Sequence, residues 1–132
     1  MRAYLISGLM FACFSTPLLA DPVVECEGTT VVREGERQLR STPFRAVFNV
    51  TSDQVDVVEG GESGDARRYA YSAEMTTDTQ RGFYSPEGNL FLYPNSGGFK
   101  IFSAKVQSPP RPSLIRETLG KCKKFDKSTV FD

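Results

Sequence analysis

The stretch from Arg81 to Val106, RGFYSPEGNLFLYPNSGGFKIFSAKV, constrains this chain more than any other. Three apolar-aromatic runs, Phe83-Tyr84, Leu90 to Tyr93 and Phe99 to Val106, are split by Pro86-Glu87-Gly88-Asn89 and by Pro94-Asn95-Ser96-Gly97-Gly98. Proline presets φ at about −65°, and Gly and Asn tolerate positive φ, so each separator can reverse the chain. The spacing predicts a three-stranded antiparallel meander.

Period-2 alternation extends the β reading to both sides. Val23 to Val32 is a β-branched run, with Gly28 as the place for a bulge or kink. Glu34-Gly35-Glu36 reads as a turn. Phe44, Ala46, Phe48 and Val50 then point one way, against Arg45, Val47 and Asn49. A turn at Thr51-Ser52-Asp53 leads to a short strand with Val55, Val57 and Val58, and Gly60 to Ala66 is a polar loop. Tyr69, Tyr71, Ala73 and Met75 alternate with Ala70, Ser72, Glu74 and Thr76, which predicts a strand over that whole length.

Beyond the meander, Ser108-Pro109-Pro110-Arg111-Pro112 is a connector, because prolines remove ladder donors. Leu114 to Leu119 reads as a short helix or an edge strand, Cys122 to Phe125 as the closing strand, and Asp126 to Asp132 as a loose tail. The expected fold class is all-β. It is a single small antiparallel meander barrel or sandwich of about eight strands, filled by its own side chains.

Met1 to Ala20 reads as a secretory signal peptide: Arg2, an apolar stretch from Ala3 to Phe14, then Pro17 and the small residue Ala20. The apolar stretch is shorter than the roughly 20 residues a membrane span needs. Met10-Phe11-Ala12-Cys13 offers a rival lipoprotein box that would leave an acylated Cys13. Cleavage near Ala20 leaves one domain, residues 21–132, in the periplasm or outside the cell. Its Lys+Arg and Asp+Glu counts are nearly balanced, and nucleic-acid binding needs a clear basic excess. No cofactor is expected. The partner's identity and the oligomeric state are not legible.

With Cys13 removed, Cys26 and Cys122 remain, one near each end. In an oxidising compartment they are expected to form a disulfide joining the first and last strands. Closing so long a loop removes about 4–5 kcal/mol of chain entropy from the unfolded state. A catalytic thiol would need a base, and the chain has no His.

Several constellations bear on chemistry. Asp53, Asp56, Glu59, Glu62 and Asp65 make an acid-rich segment with no Lys or Arg inside it. It suits a solvated loop and strand edge, a surface for a basic partner, or oxygen ligation of calcium, though without a calcium-loop spacing. Lys121, Lys123, Lys124 and Lys127 flank Cys122; they suit protection of an edge strand or contact with anionic lipid or glycan. Asn49-Val50-Thr51 fits a glycosylation sequon, relevant only in a eukaryotic source.

Glu62-Ser63-Gly64-Asp65-Ala66-Arg67-Arg68-Tyr69 puts Ser, Gly, Arg and Tyr on one loop, and Arg and Tyr are favoured interface anchors. With the exported, disulfide-bearing β plan, Ser63-Gly64 … Arg68-Tyr69 resembles the loop motif of bacterial periplasmic inhibitors of C-type lysozyme. These are small β-barrels whose motif runs Ser-Gly, a small residue, a basic residue, then Tyr. The resemblance implies a loop that plugs a lysozyme's carboxylate-lined cleft, with Ser63 and Arg67 or Arg68 as inserted groups. The chain departs from the pattern in Asp65 and an extra residue before Tyr69. It also lacks the Trp-rich strand leading into Lys-Gly, having no Trp at all.

The function expected from these residues is that of an exported, non-enzymatic binding or interaction protein. Partner-binding residues are Ser63, Arg67, Arg68 and Tyr69. The first alternative is inhibition of a lysozyme-type glycosidase through the 62–69 loop. The second is a small carboxylate-dependent hydrolase, with Glu74 and Glu87 as example acids, since glycoside hydrolysis needs only two carboxyl groups.

Overall fold

The computed structural model describes residues 23–123. Met1–Ala20, the segment expected to be a signal peptide, with Cys13, the residues Lys124, Phe125 and Lys127, and Asp126–Asp132, expected as a tail, lie outside the described residues. Eight antiparallel strands, each paired with its sequence neighbour, close into a barrel when β8 returns to β1. They are β1 (Val23–Glu34), β2 (Arg37–Val50), β3 (Gln54–Gly60), β4 (Arg68–Ser72), β5 (Arg81–Ser85), β6 (Gly88–Tyr93), β7 (Gly98–Lys105) and β8 (Leu114–Lys123). Short links are enough for this topology, because each strand only has to turn back beside the one before it.

The turns are built by the residues that mark them in the sequence. At β5–β6 the Ser85 hydroxyl accepts the amides of Glu87 and Gly88 at 3.2 and 3.1 Å and donates to the Gly88 carbonyl at 2.8 Å. At β2–β3 the Thr51 hydroxyl accepts the amides of Asp53 and Gln54. At β6–β7 the amides of Ser96 and Gly97 both donate to the Tyr93 carbonyl, with Gly97 at φ 75°.

The core follows the alternation. Phe44, Ala46, Phe48 and Val50 of β2 all point inward, as do Val55 and Val57 of β3. Phe99 of β7 sits at the centre, 5.6 Å from the Phe44 ring and 5.9 Å edge-on from Phe48. Each Phe or Val of this set contributes about 1.5–3 kcal/mol by leaving water. Val58 departs from the valine set. A bulge opposite Val47 and Phe48 makes it an extra residue, so it faces solvent.

Several expectations are corrected. The kink expected at Gly28 is not there; the register shift falls between Val32 and Arg33, and Gly28 pairs straight across to Gly120. The strand expected through Thr76 stops at Ser72, and Ala73–Met75 form one 3-10 turn. Thr76 explains the stop: its hydroxyl donates to the Ser72 carbonyl and accepts the Gly82 amide, folding Met75 over Gly82 at the start of β5. Leu114 to Leu119 is neither a helix nor an edge strand, and Cys122 does not begin a new one. Both lie in β8, which pairs with β1 and β7 alike. Lys121 and Lys123 therefore guard no free edge.

The β1–β8 seam repeats across its inward positions. Cys26 faces Cys122 and is joined to it, Gly28 faces Gly120, and Thr30 faces Thr118 with their hydroxyls 2.7 Å apart. The disulfide thus joins the first and last strands of the barrel. Among the described residues, no helix is long and apolar enough to cross a membrane.

Candidate functional site

The meander puts four connections at the barrel end where β1 finishes: β1–β2, β3–β4, β5–β6 and β7–β8. We call this end the mouth. Most of the functional candidates gather there, because strands β2, β7 and β8 change character as they reach it. Their inward positions run Phe44, Thr42, Arg40 on β2, Ile101, Ser103, Lys105 on β7 and Thr118, Arg116, Leu114 on β8.

The β3–β4 loop, residues 61–67, is fixed at both ends and at its middle. Gly60 leaves β3 at φ 76°, where a Cβ would overlap the Arg45 carbonyl oxygen, so only glycine makes this exit. Ala66 is buried in the core cluster. Between them the Asp65 amide donates to the Glu62 carbonyl at 3.1 Å, and the Glu62 amide donates back to Asp65 Oδ2 at 3.1 Å.

Arg116 reaches the loop from β8. Its Nη1 donates to the Ser63 carbonyl at 3.0 Å and its Nη2 to Asp65 Oδ1 at 2.7 Å. The pair is substantially buried, with Asp65 4% and Arg116 19% exposed. Burial raises the Asp65 carboxyl pKa above its ordinary value, and the attraction of Arg116 only partly offsets this. Desolvation outweighs pairing, as is common for buried ion pairs.

A second brace holds the neighbouring turn. Glu34, at the end of β1, accepts from Gln107 at 2.8 Å, from Arg111 at 2.6 and 3.1 Å and from Arg37 at 3.2 Å. These bonds hold its pKa down to about 2. Gln107 also donates to the Pro112 carbonyl, so the proline connector is tied to the β1–β2 turn.

The candidate partner-binding residues divide three ways. Ser63 and Arg67 are exposed on the loop, where Arg67 Nη1 donates to the Gly60 carbonyl at 2.8 Å. Arg68 lies on the outer wall and binds Asp56 of β3 at 2.7 Å, which lowers the Asp56 pKa. Tyr69 is 1% exposed, within the core. Burial drives its phenol pKa upward, and its hydroxyl bonds the Ala66 backbone. Its place is beneath the loop, not on the loop surface.

The remaining candidates scatter. Of the acid-rich segment, Asp56 pairs with Arg68 and Asp65 with Arg116, and among the described residues no group of three possible ligands is arranged for a metal ion. Glu74 lies in the β4–β5 link and Glu87 in the β5–β6 turn, at opposite ends of β5. Asn49 is half-buried with its Oδ1 shielded. The brace that sequence reading missed is Arg116. The available signal was a cation on the inward register shared with Thr118 and Cys122.

Comparison with protein-family models, curated proteins and solved structures finds no match.

Proposed function

We propose that this is an exported, non-enzymatic interaction protein that meets its partner through the β3–β4 loop at the barrel mouth. One observation carries the reading. The tip, Ser63-Gly64, is exposed while Arg116 and Ala66 hold the loop onto β8 and the core. A tip already fixed in place loses little conformational entropy on binding, which is where a braced loop gains over a free one. The Cys26–Cys122 bond suits an oxidising compartment and so supports export. The reading assigns the chain no catalytic step and no cofactor.

A second, sharper reading is inhibition of a lysozyme-type glycosidase. It is favoured by the exposure of Ser63, Gly64 and Arg67 on one loop. Arg68 is engaged by Asp56, so Arg67 is the basic group of the motif best placed to meet a partner's carboxylates. The test is clearing of a bacterial suspension by C-type lysozyme with and without the purified protein. Inhibition lost on Arg67→Ala but kept on Arg68→Ala supports it; unchanged clearing at excess protein overturns it.

A further inference from the structure

Three inward positions at the mouth carry cations, and the chain's own acids do not neutralise them evenly. Arg116 is held by Asp65 and the Ser63 carbonyl. Arg40 has Glu62 at 3.9 Å, beyond hydrogen-bond distance, and is half exposed. The Lys105 side chain makes no hydrogen bond or ion pair among the described residues and is exposed. Behind Arg40 on the same inward register, the Thr42 hydroxyl is shielded and has no partner among them.

Arg40, Lys105 and Arg116 line one concave space of about 430 Å³ between β7, β8 and the β3–β4 loop, with Ser103 on its wall and Gly64 at its rim. That volume falls within the roughly 300–1,000 Å³ of small-molecule sites, and barrel mouths are a usual place for them. Glu87 is the one acid of the lining. Arg40 and Lys105 are exposed at this space, where three cations stand against one acid. An anion would use them.

We propose that the mouth cleft binds a small organic carboxylate. The fork of Arg40 matches the two carboxylate oxygens, Lys105 supplies a second positive charge, and the Ser103 hydroxyl is a further donor. Arg116 forms the wall and stays with Asp65. The proposal goes beyond the partner-binding reading, because it needs no macromolecule.

The test is titration of the purified protein with succinate, followed by amide NMR shifts, with succinamide as the uncharged control. Succinate should move the Gly64 and Ser103 amides saturably and succinamide should not. Arg40→Gln and Lys105→Gln should each weaken binding about tenfold, the effect of losing one hydrogen bond to a charged group, with the rest of the spectrum unchanged. Absence of a saturable shift, equal shifts from succinamide, or full affinity in both variants would overturn the site. Saturable binding of inorganic phosphate without binding of succinate would overturn the carboxylate class. None of these outcomes bears on the loop reading, whose own assays use a macromolecular partner.

Discussion

Gly28 of β1 and Gly120 of β8 face each other across the seam that closes the barrel, and each occupies the space a Cβ on the other would need. A Cβ on Gly28 would overlap the Leu119 carbonyl oxygen and one on Gly120 would overlap the Glu27 carbonyl oxygen. The clash is with backbone, which cannot rotate away. Either Gly→Ala change should therefore cost about 3 kcal/mol or more in urea unfolding, the severe end of overpacking. Wild-type stability in Gly28→Ala would show that the seam is looser than described.

Beside the glycines, Thr30 and Thr118 are buried and share one hydrogen bond. Thr30→Val leaves the Thr118 hydroxyl buried and unpaired, at a cost of about 1–3 kcal/mol. Changing both to Val removes the orphan and should recover most of that loss. Denaturation midpoints of the two singles and the double decide it; a double that loses the sum of the singles contradicts the pairing.

Arg116 and Asp65 should respond unequally to mutation. Arg116→Ala strands a carboxylate that is almost fully buried, and should cost about 3–5 kcal/mol near neutral pH. Asp65→Asn removes the costly charge while keeping an acceptor for Arg116, and should stay within about 1 kcal/mol of wild type. Faster amide exchange across residues 61–67 in Arg116→Ala alone would identify the brace directly.

Asp65 and Glu34, both at the mouth, are shifted in opposite directions and should titrate apart. Asp65 lies above its ordinary value, so its contribution is present at low pH and is lost as pH rises through its folded pKa. Glu34 lies below, at about 2 against 4.5, so its contribution is present above 4.5 and is lost as pH falls toward 2. Carboxyl-carbon NMR over an acid titration should show Asp65 protonating before Glu34. The reverse order would mean that Gln107, Arg111 and Arg37 do not hold Glu34 in solution.

The barrel was legible where side chains alternate and turns announce themselves. Phe44 to Val50 and the Arg81–Val106 meander carry period 2 between Pro, Gly and Asn separators, and their turns are local hydrogen-bond devices such as that of Ser85. Cys26 and Cys122 were legible by position, as the remaining pair of thiols near the two ends. The end of β4 was not, because Ala73 and Met75 keep the alternation while the hydroxyl of Thr76, four residues beyond Ser72, folds them back. The two readings of β8 failed because Gly120 interrupts its pattern, and only the opposing Gly28 explains that glycine.

At the site, the loop was visible as a polar, glycine-bearing segment, but its anchoring was not. Arg116 is 51 residues beyond Asp65, and nothing local couples them. Tyr69 looked like a surface anchor because it ends a polar run, yet on short β4 it turns into the core while Tyr71, two residues on, stays exposed.

The loop as contact surface is tested most directly by placing a photo-crosslinking p-benzoylphenylalanine at Ser63 or, as control, at Leu119, which is exposed on the wall of β8. After irradiation in an extracytoplasmic fraction of the source cells, we predict a discrete adduct from position 63 that free wild-type protein competes away, and none from position 119. An adduct from 119 with none from 63 would contradict the account.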